Sequence, residues 1–202
     1  MIVLASSSAR RIQMLKEIFG KFLIVDPANI NEEEIIFSGD LNKYLKTLSF
    51  LKADKIAKKY NDLYVIGADT IVYIDGKVIG KPKDDIEAFE ILNLLSGRVH
   101  QVYTGVTLIN KKLNFYDFFL EKTDIKFFNL SKEEIKNYIS LKDYKDKAGG
   151  YGIQSVSKLF IEKIDGDFYN VVGFPIGRFY HRYKEIIKNI LKQGYQTYAE
   201  NK

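Results

Sequence analysis

The sequence has no cysteine, only two histidines (His100 and His181) and three prolines among its 202 residues. Without cysteine there is no disulfide framework, iron–sulfur cluster, thiolate zinc site or cysteine nucleophile, and two histidines are too few for a histidine-rich metal site. Any metal has to be held mainly by carboxylates, a donor set that suits Mg²⁺ or Mn²⁺ rather than zinc. Apolar runs are short. None approaches the ~18 residues of a membrane span, and the stretch from Met1 to Ala5 has no basic residue ahead of it and is far shorter than a signal-peptide core, so a cytoplasmic location is expected. The scarcity of proline, set beside 46% hydrophobic residues, 14 Phe and 14 Tyr, excludes a disordered chain and supplies ample material for a core.

The length lies near the ~150 residues of one domain, so residues 1–202 are expected to form a single domain, with two lobes. The formal net charge of +5 favours an anionic partner: nucleic acid, a membrane surface or a phosphorylated small molecule. Lys and Arg are interleaved with Asp and Glu, and the longest purely basic clusters are pairs such as Arg10-Arg11, which describes solvated helix faces for most of them.

Ile2 to Leu4 predicts a short buried strand. Ser6, Ser7 and Ser8 then offer caps for a helix with Ile12, Leu15, Ile18 and Phe19 on one face. Phe22 to Val25 reads as a second strand, followed by an acidic loop at Asn31 to Glu34. The spacing Leu41, Tyr44, Leu45, Leu48, Leu51 predicts a helix from Asp40. Leu63 to Ala68 is a continuous apolar run that ends at Asp69, and Ile71 to Ile74 pairs with Lys77 to Ile79 across Asp75-Gly76, a strong hairpin signal. A helix from Asp84 closes at Gly97. Val99 to Ile109 and Phe115 to Phe128 read as an antiparallel pair of long strands, and Ser131 with Glu134 forms a capping box. After the glycine-rich Ala148 to Gly152, Leu159 to Ile164 predicts a last strand and Pro175 a single final helix. The sum is an α/β protein with a mixed sheet.

Three segments carry polar groups suited to chemistry. Asp69, in Gly67-Ala68-Asp69-Thr70, is a carboxylate at the end of a buried strand, placed to hold a metal or deprotonate water; it serves equally well as a turn or cap residue. Lys81, in Gly80-Lys81-Pro82, lies beyond a hairpin strand where its ammonium could meet a phosphate or simply face solvent. The pattern is not a P-loop, because Pro82 stands where a hydroxyl is needed. Ser6 to Arg11 brings hydroxyls, helix N-terminal amides and two guanidinium groups to one turn, fit for an anion or for capping alone. Gly150-Tyr151-Gly152-Ile153-Gln154-Ser155 is not a dinucleotide fingerprint, since no strand precedes it. Gln154 is nonetheless an amide able to read a base edge. The acids Glu32, Glu33 and Glu34 could lend a metal ligand. His100 is expected to be packed and His181 to lie on the surface.

Taken in order, Leu4 to Arg11, Ile66 to Thr70, Gly80-Lys81-Pro82, Leu95 to Arg98, Asp146 to Gly149, Tyr151 to Gln154 and Tyr169 to Pro175 make the chain resemble the Maf family of nucleoside triphosphate pyrophosphatases over nearly its whole length. Ala9, Ser155 and Phe174 depart from the family's usual proline, glycine and leucine. The resemblance implies an elongated two-lobed α/β fold, similar to inosine triphosphate pyrophosphatases, with a cleft between lobes. It implies hydrolysis between the α and β phosphates, releasing a monophosphate and pyrophosphate. It further implies that Asp69 is the general base and that Ser6, Arg11, Lys52 and Lys81 bind phosphates. Glu32, or Glu33 in its stead, joins Asp69 in holding a divalent cation, Mg²⁺ or Mn²⁺. Arg10, Thr70 and Gln154 fall where the resembling subfamily favours dTTP and UTP. Clearance of the nucleotide pool and a link to cell-division arrest are among the roles this allows. No stable nucleic-acid complex and no membrane contact are expected, and a symmetric homodimer is the default. The competing reading is a basic nucleic-acid-binding or septum-regulating protein without catalytic activity.

Overall fold

The computed structural model describes residues 1–199, with side chains excepted at position 33 and at 193–199. In chain order the elements are β1 (Ile2–Leu4), α1 (Ala9–Phe19), β2 (Leu23–Val25), α2 (Leu41–Ala57), β3 (Tyr64–Ile74), β4 (Lys77–Ile79), α3 (Asp85–Leu95), β5 (Val99–Asn110), β6 (Phe115–Phe127), α4 (Lys132–Ser140), β7 (Ile161–Asp165), α5 (Phe168–Val172), α6 (Ile176–Arg182) and α7 (Lys184–Ala199). The strands form one sheet in the order β2-β1-β3-β5-β6-β7, with β4 paired to β3. Since β1 runs parallel to β2 and β3 whereas β3–β4 and β6–β7 are antiparallel, the sheet is mixed, as the sequence predicts.

The chain divides into two compact units. The first holds Met1–Asp69, Gly105–Leu120 and the residues from Gly173 onward; the second holds Thr70–Thr104 and Glu121–Val172. Side-chain caps set the helix starts in both. Ser8 accepts from the Arg11 amide, Asp40 from Lys43, Asp84 from Glu87, and Ser131 with Glu134 closes the reciprocal box. Ala9 is the first residue of α1, a position at which proline is equally suited because its amide has no partner in the helix.

In the first unit, Val3, Ala5 and Val65 of the parallel strands pack against Ala53, Ile56 and Ala57 of α2. Two glycines let that helix approach. A Cβ on Gly67 of β3 would lie 2.1 Å from the Ser49 carbonyl oxygen and 2.7 Å from the Ala53 nitrogen, and one on Gly105 of β5 would lie 2.9 Å from the Leu45 Cβ. The obstacles at Gly67 are backbone atoms, which cannot swing aside. Across the same unit Ser49 Oγ donates to the Leu45 carbonyl at 2.7 Å and bonds Thr107 Oγ1 at 2.8 Å, so the polar groups in this narrow seam are paired.

The second unit has its own core, in which Leu92, Leu95, Ile125, Phe127 and Ile135 are fully buried. His100 sits in it with no exposed surface, edge-on to Phe127 and Tyr151 at centroid distances of 4.9 and 5.4 Å. The β3–β4 hairpin turns at Asp75 (φ 51°) and Gly76 (φ 77°), the left-handed pair that a two-residue turn needs.

Four expectations need correction. The strand expected to stop at Ala68 and the one from Ile71 are a single β3 that passes through Asp69 and Thr70, because one polar pair does not break a ladder whose neighbours on both sides are satisfied. The strand expected from Leu159 starts at Ile161, after a 3₁₀ turn over Val156–Phe160. Phe168–Val172, unassigned from the sequence, is a short helix. The single final helix is two, divided at Tyr183, which leaves helical geometry at φ −115°, ψ 26°.

Gly67→Ala should destabilise the protein by about 3 kcal/mol, since overpacking against rigid backbone is not relieved by rotamer changes; urea unfolding measures it, and an unchanged midpoint would contradict the close helix approach. Burial, partly offset by the Asp124 charge, pulls the His100 pKa from 6.5 to about 4. The unfolded chain therefore binds a proton that the folded one refuses, and this contribution is fully present above pH 6.5, declines as pH falls toward 4 and levels off below. The expected loss is about 3 kcal/mol. Urea unfolding at pH 7.5 and pH 4.5 should show it in the wild type but not in His100→Leu.

Candidate active site

Asp69 lies within β3, in a run where Val65, Ile66, Gly67, Ala68 and Asp69 are all buried. An ionised carboxylate in such a place requires a partner. Its partner is Lys52 of α2, whose Nζ lies 2.5 Å from Asp69 Oδ1 and 2.8 Å from Glu32 Oε1. Lys52 and Asp69 are only 7% and 8% exposed, so the ammonium and one carboxylate sit away from bulk water while Glu32, on a 3₁₀ turn over Glu32–Glu34, stays at the surface. The approach that Gly67 and Gly105 permit puts α2 close enough for the lysine stem to reach. Glu33, the alternative second acid, has a side chain outside the described residues.

The first βα turn adds positive charge. Ser6 is buried, and its hydroxyl accepts from the Ser8 amide at 3.2 Å and from Arg11 Nη1 at 3.4 Å. Arg11, expected at a phosphate, is 8% exposed and serves the fold first: its Nε donates to the Gly173 carbonyl at 2.8 Å and its Nη1 to the Ala68 carbonyl at 2.9 Å. Burial lowers its pKa, which the charges of Asp69 and Glu32 raise and that of Arg10 lowers, so these four side chains share one local field. Arg10 is half-buried.

The other three expected residues belong to the second unit. Thr70 is half-buried, and its hydroxyl bonds the Thr104 hydroxyl at 2.9 Å. Lys81 is exposed beyond β4. The Gly80 carbonyl next to it accepts from the Gly149 amide at 2.9 Å, which ties the lysine's segment to the glycine-rich loop. Gln154 is exposed on that loop. Ser155, the departure from glycine, closes the turn by donating to the Gly152 carbonyl at 2.8 Å.

Tyr44 was not anticipated as part of this group. It is half-buried on α2, and its phenol is pushed above its ordinary pKa by burial first and then by the charges of Asp69 and Glu32. The helical spacing marked it only as a core-facing residue.

The donor set can be tested against a divalent cation. Among the described residues no group of three or more His, Cys, Asp or Glu is arranged to hold one. Asp69 and Glu32 converge on the Lys52 ammonium, and their remaining carboxylate oxygens, with water and phosphate oxygens making up the remainder, are the donor type that Mg²⁺ takes when it arrives with a phosphorylated ligand. No helix among the described residues is long and apolar enough to cross a membrane.

A mixed sheet, its helices and a buried carboxylate–ammonium centre define an α/β protein. The model of the family described as Maf-like protein matches residues 1–186, and the chain belongs to the Maf family. It is 43% identical over 190 residues to a dTTP/UTP pyrophosphatase of Clostridium novyi (strain NT), covering 94% of this chain and 99% of that one. It is 45% identical over 184 residues to a dTTP/UTP pyrophosphatase of Carboxydothermus hydrogenoformans, covering 91% and 97%. Among solved structures, a HAM1 protein from Coxiella burnetii superposes with a TM-score of 0.45 at 18% identity, over 62% of this chain and 72% of that one, an overlap too slight to argue from.

Removing one member of a buried pair strands the other. Lys52→Met should destabilise the protein by about 3 kcal/mol by leaving Asp69 without its cation, whereas Asp69→Asn should cost about 1 kcal/mol because Lys52 keeps Glu32. Urea unfolding of both variants and of the double variant gives the coupling; equal losses in the two single variants would contradict the sharing of one ammonium.

Proposed function

We propose that this protein hydrolyses a nucleoside triphosphate between its α and β phosphates, releasing a nucleoside monophosphate and pyrophosphate, with dTTP and UTP the favoured substrates. The observation that carries this reading is the Lys52 ammonium held between Asp69 and Glu32, at the centre of a group that also includes Ser6, Arg10 and Arg11. A triphosphate carries about four negative charges, and attack at phosphorus is slow until they are neutralised. Mg²⁺ or Mn²⁺ bound by Asp69 and Glu32 would neutralise the phosphate oxygens and polarise the bond to be cleaved.

The chain's own residues do the rest. Asp69 orients a water for in-line attack and accepts its proton, and its burial and fixed partner hold the carboxylate in one place. Lys52 pairs with that carboxylate and offers charge to the departing pyrophosphate. Arg11, held by two carbonyls, adds its charge without moving, while Ser6, Arg10 and Lys81 take phosphate oxygens. Thr70 and Gln154 bear on the choice of base. Against the nucleic-acid reading, the rings of Phe127, Tyr151, Phe174 and Phe179 are buried in the cores, whereas Phe50, Tyr116, Phe128, Phe168 and Tyr169 are exposed.

Incubation with a panel of triphosphates and Mg²⁺ should yield monophosphate and pyrophosphate, fastest from dTTP and UTP. Diphosphate with orthophosphate would contradict the proposal. Asp69→Asn should reduce kcat by ~10²–10⁴-fold while leaving the fold intact, and a variant with unchanged turnover would remove Asp69 from its assigned role.

A further inference from the structure

The loop that carries Gln154 has little regular structure to hold it. Gly149 and Gly150 both take φ of 70°, and the chain from Tyr151 to Ser155 then turns on itself. At its start the Gly150 carbonyl accepts from the Tyr138 hydroxyl at 3.1 Å, and from Gly152 onward the bonds are local: the Ser155 amide donates to the Gly152 carbonyl at 3.0 Å and the Gly152 amide to Ser157 Oγ at 2.9 Å. Tyr151 reaches out of it. Its ring is 5% exposed and packs edge-on to Phe127 at 4.8 Å, and its hydroxyl lies 2.6 Å from His100 Nε2, 51 residues away on β5.

The proton arrangement in that contact follows from the surroundings. Both groups are buried and therefore neutral near pH 7, the imidazole because burial disfavours its cation and the phenol because burial disfavours its anion. A neutral imidazole carries one N–H. The Asp124 charge acts on the ring, and His100 Nδ1 and Asp124 Oδ1 are both buried without a hydrogen-bond partner among the described residues. A proton on Nδ1 is favoured by that negative charge and leaves Nε2 as the acceptor for the Tyr151 hydroxyl.

We propose that His100 is a positioning residue: by accepting a hydrogen bond from Tyr151 it fixes the Gly150–Ser155 turn and so the place at which Gln154 meets the nucleobase. The effect on the base rests on the proposed pyrophosphatase reading; the anchoring of the turn does not.

The test uses three variants of the full chain. Tyr151→Phe removes the donor with little change of shape, His100→Leu removes the acceptor, and His100→Gln keeps an acceptor near the position of Nε2. Amide hydrogen exchange at Gly152 and Ser155 should quicken about five- to tenfold in the first two and return toward wild type in His100→Gln, the loss of one buried hydrogen bond. With dTTP and Mg²⁺, KM should rise by a similar factor with kcat nearly unchanged, because Asp69 and Lys52 are untouched. Unaltered exchange in Tyr151→Phe would overturn the proposal, even if His100→Leu fails to fold. Quickened exchange with unchanged KM would uphold the anchor and refute Gln154 as a base contact.

Discussion

The contact on which the site depends is one ammonium shared by two carboxylates. Lys52 could not be buried alone, and neither could Asp69, so each is the condition for the other's place. Their meeting in turn depends on α2 lying close against β3 and β5, which is possible only because Gly67 and Gly105 present no side chain to it. A constraint on backbone approach is thereby converted into a constraint on chemistry. Any residue with a Cβ at position 67 would lift the helix and with it the lysine.

Arg11 shows a second conversion of the same kind. Its guanidinium donates to the carbonyl of Ala68, the residue before Asp69, and to that of Gly173, where the chain enters its C-terminal portion. The planar fork holds two distant stretches of backbone in register, and a lysine, with a single point charge, could not do so. Because its own position is fixed by those carbonyls, the positive charge it adds next to Asp69 and Glu32 is fixed as well. Preorganised charge of this sort requires no reorientation when an anion arrives.

Local chemistry was legible in the sequence wherever it was carried by neighbours. The capping box at Ser131 and Glu134, the caps at Asp40 and Asp84 and the Asp75-Gly76 hairpin all appear where residue spacing put them. Features set by distant contacts were not. Asp69 and Thr70 looked like the end of a strand because a polar pair commonly is one, yet β1 and β4 pair with β3 on either side of it and carry the ladder through. The division at Tyr183 has no glycine or proline to announce it; Arg182 bonds Asp117 at 2.7 and 2.8 Å and Tyr183 packs on Phe179, contacts that no local pattern encodes. In the site, Asp69 stands out in the sequence as the acid that ends an apolar run and Glu32 as one of three loop acids, and Lys52 is named by the family resemblance alone, but the sharing of one ammonium, the burial of Arg11 and the nearness of Tyr44 emerge only when segments twenty to a hundred and sixty residues apart are brought together.

The β3–β4 turn also bears on how the molecule ages. In an aspartate followed by glycine the next peptide nitrogen can attack the side-chain carboxyl carbon and expel water, forming a cyclic imide that reopens as the isomerised residue. In this chain both carboxylate oxygens of Asp75 are gripped by Arg98 Nη2, at 2.7 and 2.6 Å. The carboxylate must leave the guanidinium before it can meet that nitrogen, so the arginine that braces the hairpin also slows a covalent decay that would lengthen its backbone by one carbon.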